Sequence, residues 1–148
     1  MNPLNELLEG QHRQADAALA DAELQVAAGD WPAARAAGSA LDDELRAHFR
    51  REESVLFPAF EAATGSGCGP TRVMRDEHEQ IRTLLDALRG AGERCDADAW
   101  LGLSDTLVLL MQQHNMKEEQ ILFPMAARLL AARLPALLDG LRPAAVSA

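Results

Sequence analysis

The 148-residue chain contains no tyrosine, four phenylalanines and two tryptophans, so aromatics make up only 4% of it. β-Branched residues are also few, while alanine and leucine dominate. Strands draw on aromatic and β-branched side chains, and alanine and leucine are strong helix formers, so this balance excludes a β-rich fold. Cysteine is scarce. Cys68 and Cys95 fall in loop-like sequence at opposite ends of one helical segment, roughly 35 Å apart at about 1.5 Å per residue. A disulfide needs Cα atoms within about 7 Å, so both are expected as free, incidental thiols, which suits a reducing compartment. Basic residues are outnumbered, 14 Lys and Arg against 23 Asp and Glu, for a formal charge of −9. Such a chain is repelled by phosphate backbones, which speaks against a nucleic-acid partner. No apolar run reaches the roughly 20 residues that cross a bilayer. The start, MNPLNELLEGQHRQAD, lacks a basic region followed by an apolar core, so neither a signal peptide nor a membrane partner is expected. The expectation is a soluble cytoplasmic protein, monomer or homodimer, forming one domain over 1–148.

What the chain does have is helical periodicity, in four long segments. The first is expected from Pro3 to about Ala28, ending at Gly29. Asp30-Trp31-Pro32 reads as N-cap and early-turn proline of the second, which runs to about Ala63. TGSGCGP, residues 64–70, is a loop, and Pro70 starts a third helix that ends near Gly90-Ala91-Gly92. Asp96 or Asp98 caps the fourth, which reaches about Ala132. A short fifth helix is expected from Pro135 to Leu141, ahead of a fraying PAAVSA tail. Amphipathic helices joined by short loops pack most simply as an up-down-up-down four-helix bundle, here over about 3–132, with the short helix and tail at 133–148. The stretch LLAARLPALLDGL is apolar enough to cap that bundle or to mediate a dimer.

Each apolar stripe is interrupted by a histidine. All four histidines of the chain, His12, His48, His78 and His114, sit on these faces, and the steps from His12 to His78 and from His48 to His114 are both 66 residues. The same shift relates HFRREESVLFP (48–58) to HNMKEEQILFP (114–124), both H-x-x-x-E-E-x-x-L-F-P. This is an internal repeat of a helix pair, and it implies pseudo-two-fold symmetry. Residues four apart on a helix share a face, so His48 points with Glu52, and His114 with Glu118. If the four faces converge, the core holds four imidazoles and two carboxylates. Two buried carboxylates without partners would cost several kcal/mol or be forced neutral, and two cations remove that cost. Each ion can take two histidines while the glutamates bridge. Imidazole and carboxylate with open positions suits non-haem iron, with Mn or Zn as alternatives.

A lone histidine on an apolar face is usually a satisfied core residue. That reading must here also explain the symmetric spacing and two i+4 carboxylates. Glu53 and Glu119 point about 100° away from the cage, to solvent or to an outer hydrogen bond. Met74, Met111 and Met125 read as core filler, and Trp31 and Trp100 as anchors of the bundle ends. Pro58 and Pro124 fall inside helical pattern. Each is expected to free one carbonyl, of Ser54 and Gln120, and to kink or end its helix. The apolar run MAARLLAARL after Pro124 favours a kink with continuation there.

The combination H…H-x-x-x-E…H…H-x-x-x-E on four helices, with E-E-x-x-L-F-P after each second histidine, resembles the hemerythrin-like (HHE cation-binding) family over about residues 5–130. The resemblance implies a four-helix bundle around a non-haem di-iron centre bridged by two carboxylates and an oxo or hydroxo group. Carried over, His12, His48, His78 and His114 would be terminal ligands and Glu52 and Glu118 bridges. Ferritin-like bundles use E-x-x-H with glutamates on the other helices, a different order and spacing. Oxygen-carrying hemerythrins have a fifth histidine in an H-x-x-x-H on the third helix. Here Met74 and Arg82 flank His78 at four residues, so the chain is similar to four-histidine bacterial members and to the iron-sensing domain of a ubiquitin-ligase subunit. His12 lies close to the start, so the cysteine-bearing N-terminal domain of the family's iron–sulfur-cluster repair proteins is not expected. The implied function is binding or sensing of a small diatomic ligand, O2 or NO. The alternatives are a di-iron peroxidase, oxidase or NO reductase, or an iron-storage or iron-homeostasis protein. No separate acid–base constellation accompanies the cage.

Overall fold

The computed structural model describes residues 1–143, and the expected fraying at 144–148 lies outside them. It is all helical. In chain order the α-helices are α1 (Pro3–Ala27), α2 (Trp31–Arg51), α3 (Phe57–Thr64), α4 (Pro70–Glu93), α5 (Ala97–Lys117), α6 (Phe123–Leu129) and α7 (Leu134–Leu141). Two five-residue π-turns, Glu52–Leu56 and Glu118–Leu122, join α2 to α3 and α5 to α6, and a 3-10 turn, Ala131–Arg133, leads into α7. The four arms of the bundle are therefore α1, α2–α3, α4 and α5–α6. α1 packs on α2, α2 on α4, α4 on α5 and α5 back on α1, which closes the ring. Both π-turns and both of the helices before them are related by the 66-residue shift. No single helix among the described residues is long and apolar enough to cross a membrane.

Local chemistry explains the boundaries. Asn2, Asp30 and Asp96 each accept the backbone N–H three residues on, capping α1, α2 and α5. α4 ends at Glu93, beside the expected Gly90-Ala91-Gly92. The chain then turns at Cys95, a non-glycine residue at φ 55°. Cys68 and Cys95 are both free and exposed, as expected.

The prolines act differently from the simple expectation of freed Ser54 and Gln120 carbonyls. The Phe57 N–H bonds to the Glu52 carbonyl, and the Phe123 N–H to the Glu118 carbonyl, five residues back. One more bond in that register would come from residue 58 or 124 to the carbonyl of Glu53 or Glu119. Proline has no N–H to give. Side chains replace it. Asn5 Nδ2 donates to the Glu119 carbonyl at 2.9 Å, and Arg75 Nη2 lies 3.5 Å from the Glu53 carbonyl. Each proline therefore ends a π-turn, and the α-helix resumes beyond it in both copies.

The core has two apolar clusters. One holds Leu41, Leu45, Phe49, Leu85, Trp100 and Leu107 among others, with Met111 inside and Trp31 packed against it. The other holds Leu4, Leu8, Leu56, Phe57, Met74, Leu122, Phe123 and the buried face of α7, Leu137 and Leu141. α7 thus caps the bundle at the second cluster. Gly140 sits against the first π-turn, where an added Cβ would come 3.0 Å from Val55 Cγ1. Gly140→Ala is expected to destabilise the fold by about 1–3 kcal/mol through overpacking. A thermal melt reads this as a fall of roughly 2–4 °C per kcal/mol, and an unchanged melting temperature would show that α7 is not seated there.

Candidate metal centre

Between the two apolar clusters lies one polar layer. His12 comes from α1, His48 from the end of α2, His78 from α4 and His114 from the end of α5. Glu52 and Glu118 open the two π-turns. All six side chains are buried, and Glu52, His78 and Glu118 are fully so. They form two overlapping groups, His12, His48, Glu52, Glu118 and His78, His114, Glu52, Glu118, with the ligand-type atoms of each group within 4.8 Å of one another. Glu52 Oε1 is 3.2 Å from Nε2 of both His48 and His78. Glu118 Oε1 is 3.1 Å from Nε2 of His12 and 3.2 Å from Nε2 of His114. Each carboxylate therefore stands between one histidine of each group.

Apart from these 3.1–3.2 Å approaches, which are not aligned as hydrogen bonds, the four Nε2 atoms and both oxygens of Glu52 and Glu118 have no partner. Buried polar atoms left unpaired are costly. Eight of them converging is the arrangement that a pair of cations satisfies. The outer nitrogens, by contrast, are all engaged. Nδ1 of His12 donates to Glu119 (2.6 Å), of His48 to Gln11 (2.6 Å), of His78 to Glu53 (2.7 Å) and of His114 to Glu77 (2.8 Å). A proton held at Nδ1 leaves the Nε2 lone pair aimed inward, the tautomer a metal requires.

The repeated L-F-P has a role here. Phe57 stacks on His78 with ring centroids 5.6 Å apart, and Phe123 on His12 at 5.8 Å. Phe49 stacks on His78 at 3.9 Å, and its counterpart 66 residues on is Asn115.

The electrostatics are those of a metal-free cage. Burial lowers the His12 pKa, but Glu118, with Glu52 and Glu119, outweighs it and pushes the imidazole up to about 9. Burial likewise opposes protonation of His114, and Glu118, Glu77 and Glu52 raise it to about 10. His78 is raised against its burial by Glu52 and Glu53. Glu118 is held well below the usual carboxylate range despite full burial, chiefly by His114. Glu53, against its own partial burial, is lowered to about 2 by His78 and Arg82. Without metal, protons on His12, His78 and His114 balance the Glu118 carboxylate.

Comparison with known proteins agrees with this arrangement. The hemerythrin HHE cation-binding domain matches residues 4–126. The chain belongs to the hemerythrin HHE cation-binding family. Among curated proteins this hemerythrin-like chain is similar to the iron-sulfur cluster repair protein YtfE of Musicola paradisiaca (strain Ech703), 33% identical over 96 residues. That alignment covers 58% of this chain and 43% of the relative. The YtfE of Edwardsiella ictaluri (strain 93-146) gives the same identity and coverage. That of Salmonella newport (strain SL254) is 30% identical over 98 residues, 60% of this chain and 44% of the relative. The chain thus spans less than half the length of these relatives. No solved structure matches.

The outer partners are what sequence reasoning missed or left open. Glu53 and Glu119 are not solvent-face residues. They are half-buried acceptors from His78 and His12, the outer role that the helical wheel allowed. Gln11 and Glu77 carried no expectation. A signal was available, since each directly precedes a first-of-pair histidine and the two are related by the same 66-residue shift.

Proposed function

We propose that this hemerythrin-like protein holds two iron ions, one between His12 and His48 and one between His78 and His114, bridged by Glu52 and Glu118, and that the centre binds or senses a small diatomic ligand, O2 or NO. The observation that supports this most is the set of eight buried, unpartnered donor atoms in two groups that share both carboxylates. The donor set, imidazole nitrogen with carboxylate oxygen, fits iron and also accommodates Mn or Zn. Two nitrogens and two carboxylates per ion leave positions free on a metal that favours six. Iron held in this way would supply open positions at which a small ligand could bind reversibly.

The protein's own residues do the rest. The Nδ1 acceptors orient the rings, Phe49, Phe57 and Phe123 exclude water, and the bridging carboxylates neutralise charge that the dry layer could not otherwise hold. A cleft of about 260 Å³ lies between α1 and α5, lined by Asp16, Leu19 and Met111 among others and by none of the six cage residues. The similarity to iron-sulfur cluster repair proteins supports a second reading, a role in iron homeostasis in which the cage takes up or releases iron.

The test is an absorption spectrum of the iron-loaded protein on anaerobic addition of NO and, separately, of O2. A saturable spectral change with either gas supports ligand binding. No change with either gas at full loading rules it out, and iron transfer to an apo iron–sulfur acceptor would then favour the second reading.

A further inference from the structure

The two halves of the cage obey the 66-residue repeat in all six inward residues, but the repeat breaks in the layer behind them. Each of three rings donates Nδ1–H to a carboxylate, and His48 alone donates to an amide, Gln11. The residue 66 positions on is Glu77, which serves His114. The orientation of Gln11 is settled by its other end. Gln11 Nε2 donates to the carbonyl of Leu141, the last residue of α7, at 2.9 Å, so Oε1 must face His48. Arg51 Nη2 also donates to that oxygen, at 3.1 Å. Arg51 is in turn the counterpart of Lys117, which pairs with the far oxygen of Glu77. A glutamate at position 11 would set a carboxylate oxygen against the Leu141 carbonyl, with no proton between them. Helix α7 has no counterpart in the first half of the chain, so it is the element that requires a glutamine here.

We propose that Gln11 is a positioning residue that makes the two metal positions unequal, the ion between His12 and His48 being the more weakly held. This rests on the two-ion reading above. A carboxylate accepting from Nδ1–H makes an imidazole a stronger donor at Nε2, and loss of such a partner costs roughly 10–100-fold in metal affinity. A neutral amide that also takes a guanidinium bond supplies much less. Opposing charges do not reverse the order. Lys117 damps Glu77 but is half in water and sits on the oxygen that His114 does not use. Arg82 damps Glu53 by bonding both of its oxygens. Asp16, at the position equivalent to Arg82, adds negative charge near His12 but makes no bond to the ring, and so acts at longer range than the Nδ1 contact.

The experiment uses the full chain stripped of metal and titrated with Co(II) under argon. His48→Ala disables one position and His114→Ala its symmetry mate. The ion remaining in His48→Ala is expected to bind at least about tenfold more tightly than the ion remaining in His114→Ala. Adding Glu77→Gln to His48→Ala should bring its affinity down to the His114→Ala level. Should either ligand variant fail to fold, Mössbauer spectra of the 57Fe-loaded protein carry the same test. The wild-type protein should show two distinct quadrupole doublets of equal area, and Glu77→Gln should draw them together. Equal affinities in the two variants, or a single doublet in the wild-type protein, overturn the inference while leaving the two-ion reading intact. Uptake of fewer than two ions by the wild-type chain overturns both.

Discussion

Glu118→Gln is expected to cut the metal content from two ions per chain to fewer than one, with a loss of affinity of at least about a hundredfold, the upper end of what outer-shell changes cost. The side chain is fully buried, and its Oε1 lies within 3.1–3.2 Å of Nε2 of both His12 and His114. Glutamine has the same shape but no charge. Two divalent cations would then face a single carboxylate in a layer closed on both sides by apolar clusters, and an uncompensated charge in such surroundings is severely penalised. The isosteric variant separates charge from packing. In the metal-free state it also removes the counter-charge of His12 and His114, so circular dichroism at about pH 8, above the ordinary histidine value, fixes the folded fraction before metal content is compared. Glu119→Gln provides the graded control. It alters only the acceptor behind His12 and should cost about 10–100-fold. If Glu118→Gln retains two ions, or if Glu119→Gln is the more damaging of the two, Glu118 is not a bridge.

The metal-free protein should lose stability as pH rises from about 6.5 towards 10, and the metal-loaded protein should not. His12 and His114 have pKa values of about 9 and 10 in the fold, above their ordinary 6.5. Between those limits the folded chain binds more protons than the unfolded one. Their contribution is therefore complete below about 6.5 and disappears as pH rises through 9 and 10, with a slope of up to roughly 1.4 kcal/mol per pH unit for each imidazole. Deprotonation leaves the Glu118 carboxylate buried without counter-charge. At the acid end the sign reverses. The Glu118 contribution is present above its ordinary carboxylate value and lost as pH falls, because its folded value is depressed. The metal-free optimum should lie between about pH 5 and 6.5.

Metal replaces those protons, so loading at pH 8 should release protons and raise stability. A free metal concentration of about a thousand times Kd is worth about 4 kcal/mol, or roughly 8–16 °C at this chain length. Thermal melts of stripped and loaded protein across pH 5–10 check this. A stripped protein whose melting temperature climbs from pH 6.5 to 9 would contradict the electrostatic picture of the cage.

The inward residues were legible in the sequence because they obey two rules that survive folding. His48 with Glu52 and His114 with Glu118 share a helix face by spacing alone, and the 66-residue shift adds His12 and His78. The four arms were legible for the same reason, since apolar periodicity and the caps Asp30 and Asp96 act locally. The π-turns were not. A helical wheel advances 100° per residue, and a five-residue turn breaks that count just past the glutamates. This is why the freed carbonyls are one residue earlier than proline alone suggests, while Glu53 and Glu119 take the outer hydrogen-bonding role that the wheel left open. Gln11 was illegible for a different reason. Its role depends on the Leu141 carbonyl, 130 residues away in sequence, and no local pattern announces such a contact. The repeat could still have shown the odd member, since a 66-residue comparison sets Gln11 beside Glu77.

The most direct test of the central claim is elemental analysis of the protein purified from its own host, with the chain concentration fixed independently. The cage of His12, His48, Glu52, His78, His114 and Glu118 predicts two irons per chain. One zinc per chain, or no metal at all, would contradict it.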